Sequence, residues 1–144
     1  MMLVSTRGRY ALRVMIDLSE HNNGDYITLR DIAGRQEISE KYLESIISVL
    51  VKASFVEGMR GKGGGYKLTR PPESYTIGSV LKLTEGSLAP VACLEGKSKD
   101  CKHSTECKTL PMWEKLNSLI DDYLEGITVA DLAAMGGSDY NFVI

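Results

Sequence analysis

Apolar side chains recur at three- and four-residue steps through most of the first 53 residues of the chain. Residues 6–20 show this spacing and predict a first helix. Thr28 and Ser39 are of the types that cap helix N-termini, so a second helix is expected over residues 29–36 and a third from Ser39 to about residue 53. A short helix, a tight turn and an amphipathic helix after it are the pattern of a helix-turn-helix.

A glycine-rich hairpin is predicted directly after the third helix. Residues 55–59 and 66–69 are short apolar segments typical of strands, and they flank Arg60-Gly61-Lys62-Gly63-Gly64-Gly65. Because glycine has no Cβ, this tip can approach a phosphate ridge or enter a minor groove, where Arg60 and Lys62 supply charge. The alternative is a hairpin tip that needs glycine only for positive φ. A nucleotide phosphate loop is excluded, because the spacing Gly-x-x-x-x-Gly-Lys-Ser/Thr is missing and no helix begins there.

The chain changes character after residue 72. Thr76 can cap a short helix that ends at Gly86, and residues 93–107 then form a polar, lysine-rich segment without helical or strand periodicity. A loop of that length in a small domain is uncommon unless it binds something or is mobile. We therefore predict a winged helix-turn-helix domain over residues 1–72 and a second region over residues 73–144.

A longer helix is predicted to begin at Pro111, because proline at the first helical turn loses no hydrogen bond. Residues 111–126 carry a broad apolar stripe that the small N-terminal domain is too small to cover, so we interpret them as a dimerisation helix; the alternative is that the helix folds back on its own domain. The fold class is thus mainly α with a small β-hairpin wing. The stripe consists of Met112, Trp113, Leu116, Leu119, Ile120, Tyr123 and Leu124.

Charge is distributed unevenly along the chain, although the net charge is only −2. Residues 1–70 carry 11 Lys/Arg and 8 Asp/Glu, whereas residues 71–144 carry 6 and 11. A local positive excess is what contact with phosphates requires. No apolar run is long enough to span a bilayer, and the N-terminal residues do not resemble a signal peptide, so we expect a cytoplasmic protein.

The N-terminal end of the third helix is expected to enter the major groove of double-stranded DNA. Glu44 is informative there, because a carboxylate beside phosphates is unfavourable unless it reads a base, and it can accept from cytosine N4. The alternative is an exposed helix residue that pairs with Lys41. The predicted DNA-binding residues are Arg7, Thr28, Ser39, Lys41, Tyr42, Glu44, Arg60 and Lys62.

All three cysteines of the chain, Cys93, Cys101 and Cys107, lie in the polar segment. Cysteines that serve packing lie in apolar segments, and an odd number of thiols in a reducing compartment argues against disulfides. Three thiolates can anchor an iron–sulfur cluster or zinc with one further ligand, and the lack of a Cys-x-x-Cys pair favours the cluster. Thiols that sense redox state without a metal are the alternative.

These features together resemble the IscR/Rrf-two family of bacterial transcription regulators, over nearly the whole chain to about residue 134. The resemblance implies a homodimer with a 2Fe-2S cluster in the cysteine loop, whose state alters DNA binding. It also implies that Glu44 and Arg60 contact DNA. The matching stretches are Gly8-Arg9-Tyr10-Ala11-Leu12-Arg13, Tyr42-Leu43-Glu44, Arg60 to Tyr66, Cys93 to Cys107, and Trp113 with Ile127-Thr128.

The sequence departs from the family pattern at the expected cluster ligands. Seven residues separate Cys93 from Cys101, where the cluster-sensing member has five, and Leu110 stands where that member has a histidine ligand. Arg9 stands where nitric-oxide-sensing members have an acidic residue. His103 is the nearest conventional donor for the fourth ligand, followed by Glu106 and Asp100.

Two functions follow from these observations. The first is a transcription regulator, expected to be a repressor, whose binding to a near-palindromic operator is tuned by a cluster or by the redox state of the cysteines. The second is a cofactor-free regulator of cysteine or sulfur metabolism that a partner protein controls. An enzyme is disfavoured, because the sequence offers no paired carboxylates, nucleophile–base pair or nucleotide motif.

Overall fold

A computed structural model of the protein describes residues 4–94 and 107–135. It confirms the predicted fold class, a mainly helical chain with one antiparallel hairpin, and every predicted helix begins within one residue of its observed start. Two 3₁₀ turns, Pro72–Ser74 and Ala92–Leu94, lie between the regular elements. The elements are α1 (Thr6–Glu20), α2 (Leu29–Gln36), α3 (Glu40–Lys52), β1 (Val56–Met59), β2 (Gly65–Leu68), α4 (Ile77–Glu85), α5 (Leu110–Glu125) and α6 (Val129–Ala133).

The helices begin where a hydroxyl side chain accepts a backbone N–H. Thr28 accepts from Asp31 N at 3.1 Å, and Ser39 accepts from Tyr42 N at 3.2 Å. Glu37 ends α2 in the left-handed region, at φ 55°, so the chain reverses within three residues before α3 begins. This tight turn sets the angle between the two helices of the helix-turn-helix.

A buried carboxylate joins α1 to the end of α2. Asp17 is 1% exposed and accepts from Arg35 Nη2 at 2.7 Å and Nε at 3.0 Å, and from Gln36 Nε2 at 2.9 Å. The hydrogen bond to Asp17 raises the pKa of the Arg35 guanidinium. A buried charge is tolerated only when it is paired and hydrogen-bonded in this way. The pair fixes the last turn of α2 directly before the reversal into α3.

One hydrophobic core contains residues from both sides of residue 72. Helices α4 and α6 pack against α1, and Tyr75, Val80 and Val129 are fully buried together with Met15 and Leu43. The domain boundary at residue 72 stays a prediction from sequence. The packing makes residues 73–85 and 129–133 part of the frame that carries the helix-turn-helix.

Helix α5 lies on the surface of this frame and buries none of its own residues fully. Met112, Leu119 and Tyr123 are 55%, 52% and 59% exposed. On its other side the helix packs on α4, where Lys82 Nζ bonds Asp121 at 2.6 Å and Glu125 at 3.0 Å. No helix within residues 4–94 and 107–135 is long and apolar enough to cross a membrane.

Candidate nucleic-acid interface

A cleft of about 590 Å³ lies between α3 and the hairpin. The exposed face of α3 forms one wall, and β1 with the glycine-rich tip forms the other. Such a notch between a helix and a hairpin can straddle a phosphate ridge, with the helix in one groove and the hairpin beside it. The lining residues are Thr28, Leu29, Glu44, Ile47, Ser48, Val51, Lys52, Gly58, Met59, Arg60, Gly61, Gly64, Gly65 and Tyr66.

The segment before α2 pairs with the hairpin and fixes its edge. Ile27 N donates to Tyr66 O at 2.8 Å, and Tyr66 N donates to Ile27 O at 2.7 Å. Gly65 makes this close pairing possible, because it lies at φ 144° and a Cβ there would overlap the carbonyl of Ile27. The bridge places Thr28, at the start of α2, beside the base of the cleft.

The hairpin tip is a tight turn built on glycine conformations. Gly61 and Gly63 lie at φ 91° and 78°, and Gly64 N donates to Gly61 O at 3.0 Å. A Cβ at Gly64 would overlap the carbonyl oxygen of Met59. These glycines are therefore required by the turn itself, two of them for positive φ and Gly64 for lack of space. Arg60 is exposed at the same tip.

Three of the predicted DNA-binding residues, from separate parts of the chain, line the cleft: Thr28, Glu44 and Arg60. Glu44 of α3 and Arg60 of the hairpin both line it and are both exposed. The alternative that Glu44 pairs with Lys41 is not observed, since no ion pair within 4.0 Å joins them among the described residues. Lys41 and Lys62 are exposed but lie outside the cleft lining.

Three of the predicted residues, Thr28, Ser39 and Tyr42, have structural partners. Thr28 and Ser39 are helix caps, and because their oxygens accept there, each hydroxyl hydrogen can still be donated to a phosphate. Tyr42 is half-buried, and its ring packs edge-on against Tyr10 with centroids 5.9 Å apart. Arg7 is half-buried in the first turn of α1 and does not line the cleft.

Sequence reasoning missed two polar residues on the cleft wall, Ser48 and Lys52. They follow Glu44 at four-residue steps, so all three lie on one face of α3. That spacing could have identified them. The prediction stopped at the N-terminal end of the helix, whereas the hairpin packs beside the helix further along.

Two of the predicted metal ligands fall within the described residues. Cys93 is half-buried in the 3₁₀ turn Ala92–Leu94, and Cys107 lies just before α5 with its Sγ 3.3 Å from Thr109 Oγ1. The hydrogen bond from the Thr109 hydroxyl lowers the pKa of the Cys107 thiol. Cys101 and His103 lie outside the described residues. The described ranges contain no group of three or more His, Cys, Asp or Glu placed to hold a metal ion.

Comparison with known proteins identifies the family. The model of the Rrf2 family, described as an iron-dependent transcriptional regulator, matches residues 4–135. The transcriptional regulator IscR of Vibrio campbellii is 40% identical over 131 residues, which are 91% of this chain and 77% of that protein. The structure of CymR (YrzC), the global cysteine regulator of B. subtilis, is similar with a TM-score of 0.77 and 32% identity, covering 93% of this chain and 98% of that chain. The structure of T. potens IscR has a TM-score of 0.69 and 36% identity, and 96% of each chain is covered. These relatives are transcription regulators and not enzymes, and this chain belongs to the Rrf2 family of transcriptional regulators.

Proposed function

We propose that the protein is a homodimeric repressor that binds a near-palindromic operator through α3 and the hairpin. In this proposal, a cluster held by the cysteine loop changes the affinity for the operator. The observation that carries the DNA-binding part is the cleft in which Glu44 and Arg60 face the same space from different elements. Because the partner is chromosomal DNA, we place the protein in the cytoplasm.

The two walls of the cleft are suited to different contacts. A carboxylate on α3 can accept from a cytosine amino group, which supplies base selectivity. A guanidinium on the hairpin is attracted to phosphates whatever the sequence, or donates to acceptors in the minor groove. The glycine turn brings the hairpin backbone close without intervening side chains. Selectivity is thus assigned to α3, and a large part of the affinity to the hairpin.

The donor set fits a 2Fe-2S cluster in its chemistry. Thiolates are the ligands that such clusters use, and the lowered pKa of Cys107 favours its thiolate form. Cys93, Cys101 and Cys107 would hold the cluster, with His103 as the fourth ligand. A bound cluster would supply one-electron redox chemistry and sensitivity to oxidants. Cys107 lies three residues before the start of α5, so the state of the loop can reach the helix that we assign to dimerisation.

The similarity to CymR favours a second candidate. That relative is described as a cysteine regulator, and its fold covers 93% of this chain. In this alternative the protein has no cofactor and a partner protein controls its binding to DNA. The two candidates share the DNA interface and differ in what the region after residue 86 binds.

Replacing Arg60 with Ala should weaken binding to a duplex that the wild-type protein selects from a random-sequence pool. We expect the binding free energy to become less favourable by roughly 1–3 kcal/mol, since one cationic contact to DNA is removed. Titration by fluorescence anisotropy at several salt concentrations measures it, and the slope of log K against log salt should flatten by about one if Arg60 contacts a phosphate. Lys115→Ala removes a positive charge from α5 and is the matched control. Equal affinity of Arg60→Ala and wild type would remove Arg60 from the interface.

Replacing Glu44 with Ala should relax base preference more than it lowers affinity. The carboxylate favours one base and repels phosphates, so its loss removes selectivity while it reduces repulsion. Binding to a panel of duplexes with single-base changes measures this, and one position should lose most of its usual discrimination of about 1–3 kcal/mol. Glu57→Ala, which removes an exposed carboxylate from β1, is the control. A uniform loss across the whole panel would contradict base reading by Glu44.

A further inference from the structure

One buried hydroxyl closes the base of the hairpin. The phenol of Tyr75 lies outside the hairpin, after the 3₁₀ turn Pro72–Ser74, and the residue is 0% exposed. Its Oη donates to Phe55 O at 2.8 Å and accepts from Thr69 N at 3.1 Å and Arg70 N at 2.9 Å. These three bonds match the one donor and two acceptor positions of a phenol, and Thr69 Oγ1 is a fourth polar neighbour of the same atom at 3.1 Å. Residues at the outer ends of both strands are therefore held by a single atom.

Residues 75–77 also form hydrogen bonds with the end of α5 and with the residues that follow it. Tyr75 O accepts from Val129 N at 2.9 Å, and Ile77 N donates to Ile127 O at 2.8 Å. Thr76 Oγ1 donates to Glu125 Oε2 at 2.8 Å, in the last turn of α5. Tyr75 and its neighbour thus touch the base of the hairpin on one side and the end of α5 on the other.

Small changes at the base of the hairpin are amplified at its tip. Arg60 lies five residues beyond Phe55, which at roughly 3.3 Å per residue is a lever of about 17 Å. A tilt of about 10° at the base would then move the tip by about 3 Å over that lever, which is enough to break a hydrogen bond. A two-stranded hairpin has little stiffness of its own, so its direction depends on its anchors, which include the Ile27–Tyr66 pairing at one edge and the Tyr75 hydroxyl at its base.

We propose that Tyr75 is a positioning residue for DNA binding, whose buried hydroxyl fixes the direction of the hairpin relative to α5. This inference rests on the proposed function, in which the hairpin contacts DNA. Without the hydroxyl, the Arg70 amide loses the acceptor that Tyr75 supplies, and the Thr69 amide keeps only its longer bond to Phe55 O at 3.3 Å. The strand ends must then shift to satisfy these groups with water or another partner. The ring still fills the core when Tyr75 is replaced by Phe, so the change is confined to the base of the hairpin.

The test uses the full chain and the same selected duplex. Tyr75→Phe should bind about tenfold more weakly, comparable to the loss of one cationic contact. The double variant Tyr75→Phe/Arg60→Ala should bind no more weakly than Arg60→Ala alone, because a misdirected hairpin has already lost the contact that Arg60 makes. Hydrogen exchange of the Thr69 and Arg70 amides should be faster in Tyr75→Phe, while exchange in α3 stays unchanged.

Two controls separate positioning from stability. Tyr26→Phe removes the same atom from a residue next to the Ile27–Tyr66 pairing and should bind as wild type does. Val80→Ala creates a cavity in the core beneath α4 and should lower the melting temperature. At a temperature where this variant is folded, it should keep wild-type affinity for the duplex. If Tyr75→Phe does not fold, Thr69→Val provides the same readout, since it removes the hydroxyl that bonds Ser54 O at 2.6 Å and contacts Tyr75 Oη at 3.1 Å.

The possible outcomes are distinct. Wild-type affinity of Tyr75→Phe, with Arg60→Ala weakened, overturns the positioning role and leaves the proposed function intact. Losses that multiply in the double variant also overturn it, because they show that the two residues act independently. If Arg60→Ala itself binds as wild type does, the proposed hairpin contact fails, and the role of Tyr75 fails with it.

Discussion

Replacing Leu119 with Asp should convert the proposed dimer into a monomer and lower its affinity for the selected duplex on the order of 100-fold. Leu119 is 52% exposed and lies on one stripe of α5 with Met112, two helical turns before it, and Tyr123, one turn after it. A carboxylate in the centre of an apolar two-fold contact would be desolvated without a partner. The affinity falls because a dimer gains roughly 10²–10⁴-fold from holding two half-sites at once, and a monomer holds one.

Sedimentation at micromolar concentration and the DNA titration together check this expectation. Ser118→Asp introduces the same charge one residue earlier, off the stripe, and should sediment and bind as wild type does. A wild-type chain that sediments as a monomer, or a Leu119→Asp variant that stays dimeric, would refute the assignment of α5 to dimerisation.

Single replacements of Cys93, Cys101 or Cys107 by Ala should abolish the cluster almost completely. We expect about two irons and two sulfides per subunit after anaerobic purification, and a visible absorption band that each replacement removes. Loss of one thiolate is severe because the remaining ligands no longer complete the coordination of both irons. His103→Ala should change the spectrum and destabilise the cluster if His103 is the fourth ligand.

Ser98→Ala is the control, because it changes a small polar side chain of the same segment without removing a thiol. Iron, sulfide and zinc analysis of all variants distinguishes the two proposed functions. Colourless wild-type protein that binds zinc, or wild-type protein that holds no metal after anaerobic purification and still binds the duplex, would reject the cluster. The second result would favour the regulator that a partner protein controls.

Local signals explain why the helices could be predicted from sequence so closely. Thr28, Ser39, Thr76 and Thr128 each cap a helix through bonds within three residues, and such bonds depend on neighbours in the chain. The hairpin could be predicted equally well, since the glycine positions within it determine its turn. These local features were enough to predict the fold class and the hairpin wall of the cleft.

Contacts between distant residues explain what could not be predicted. The placement of Tyr42 against Tyr10 depends on how α1 crosses α3, and periodicity does not state which face of a helix meets which neighbour. The burial of Asp17 depends on Arg35 in another helix. The pairing of Ile27 with Tyr66 joins residues 39 positions apart, so no local pattern indicates it.

Two hairpin glycines at which a Cβ would overlap the backbone, Gly64 and Gly65, also constrain how this regulator can change under mutation. Every base change in a glycine codon that alters the amino acid adds at least a Cβ, and at Gly64 and Gly65 that atom would overlap a backbone carbonyl. Substitutions at these two codons are therefore expected to be removed by selection, whatever operator the protein binds. Exposed positions on α3, such as Glu44 and Ser48, carry no such restriction. New operator preferences can thus arise by substitution in the helix, while the hairpin is inherited unchanged.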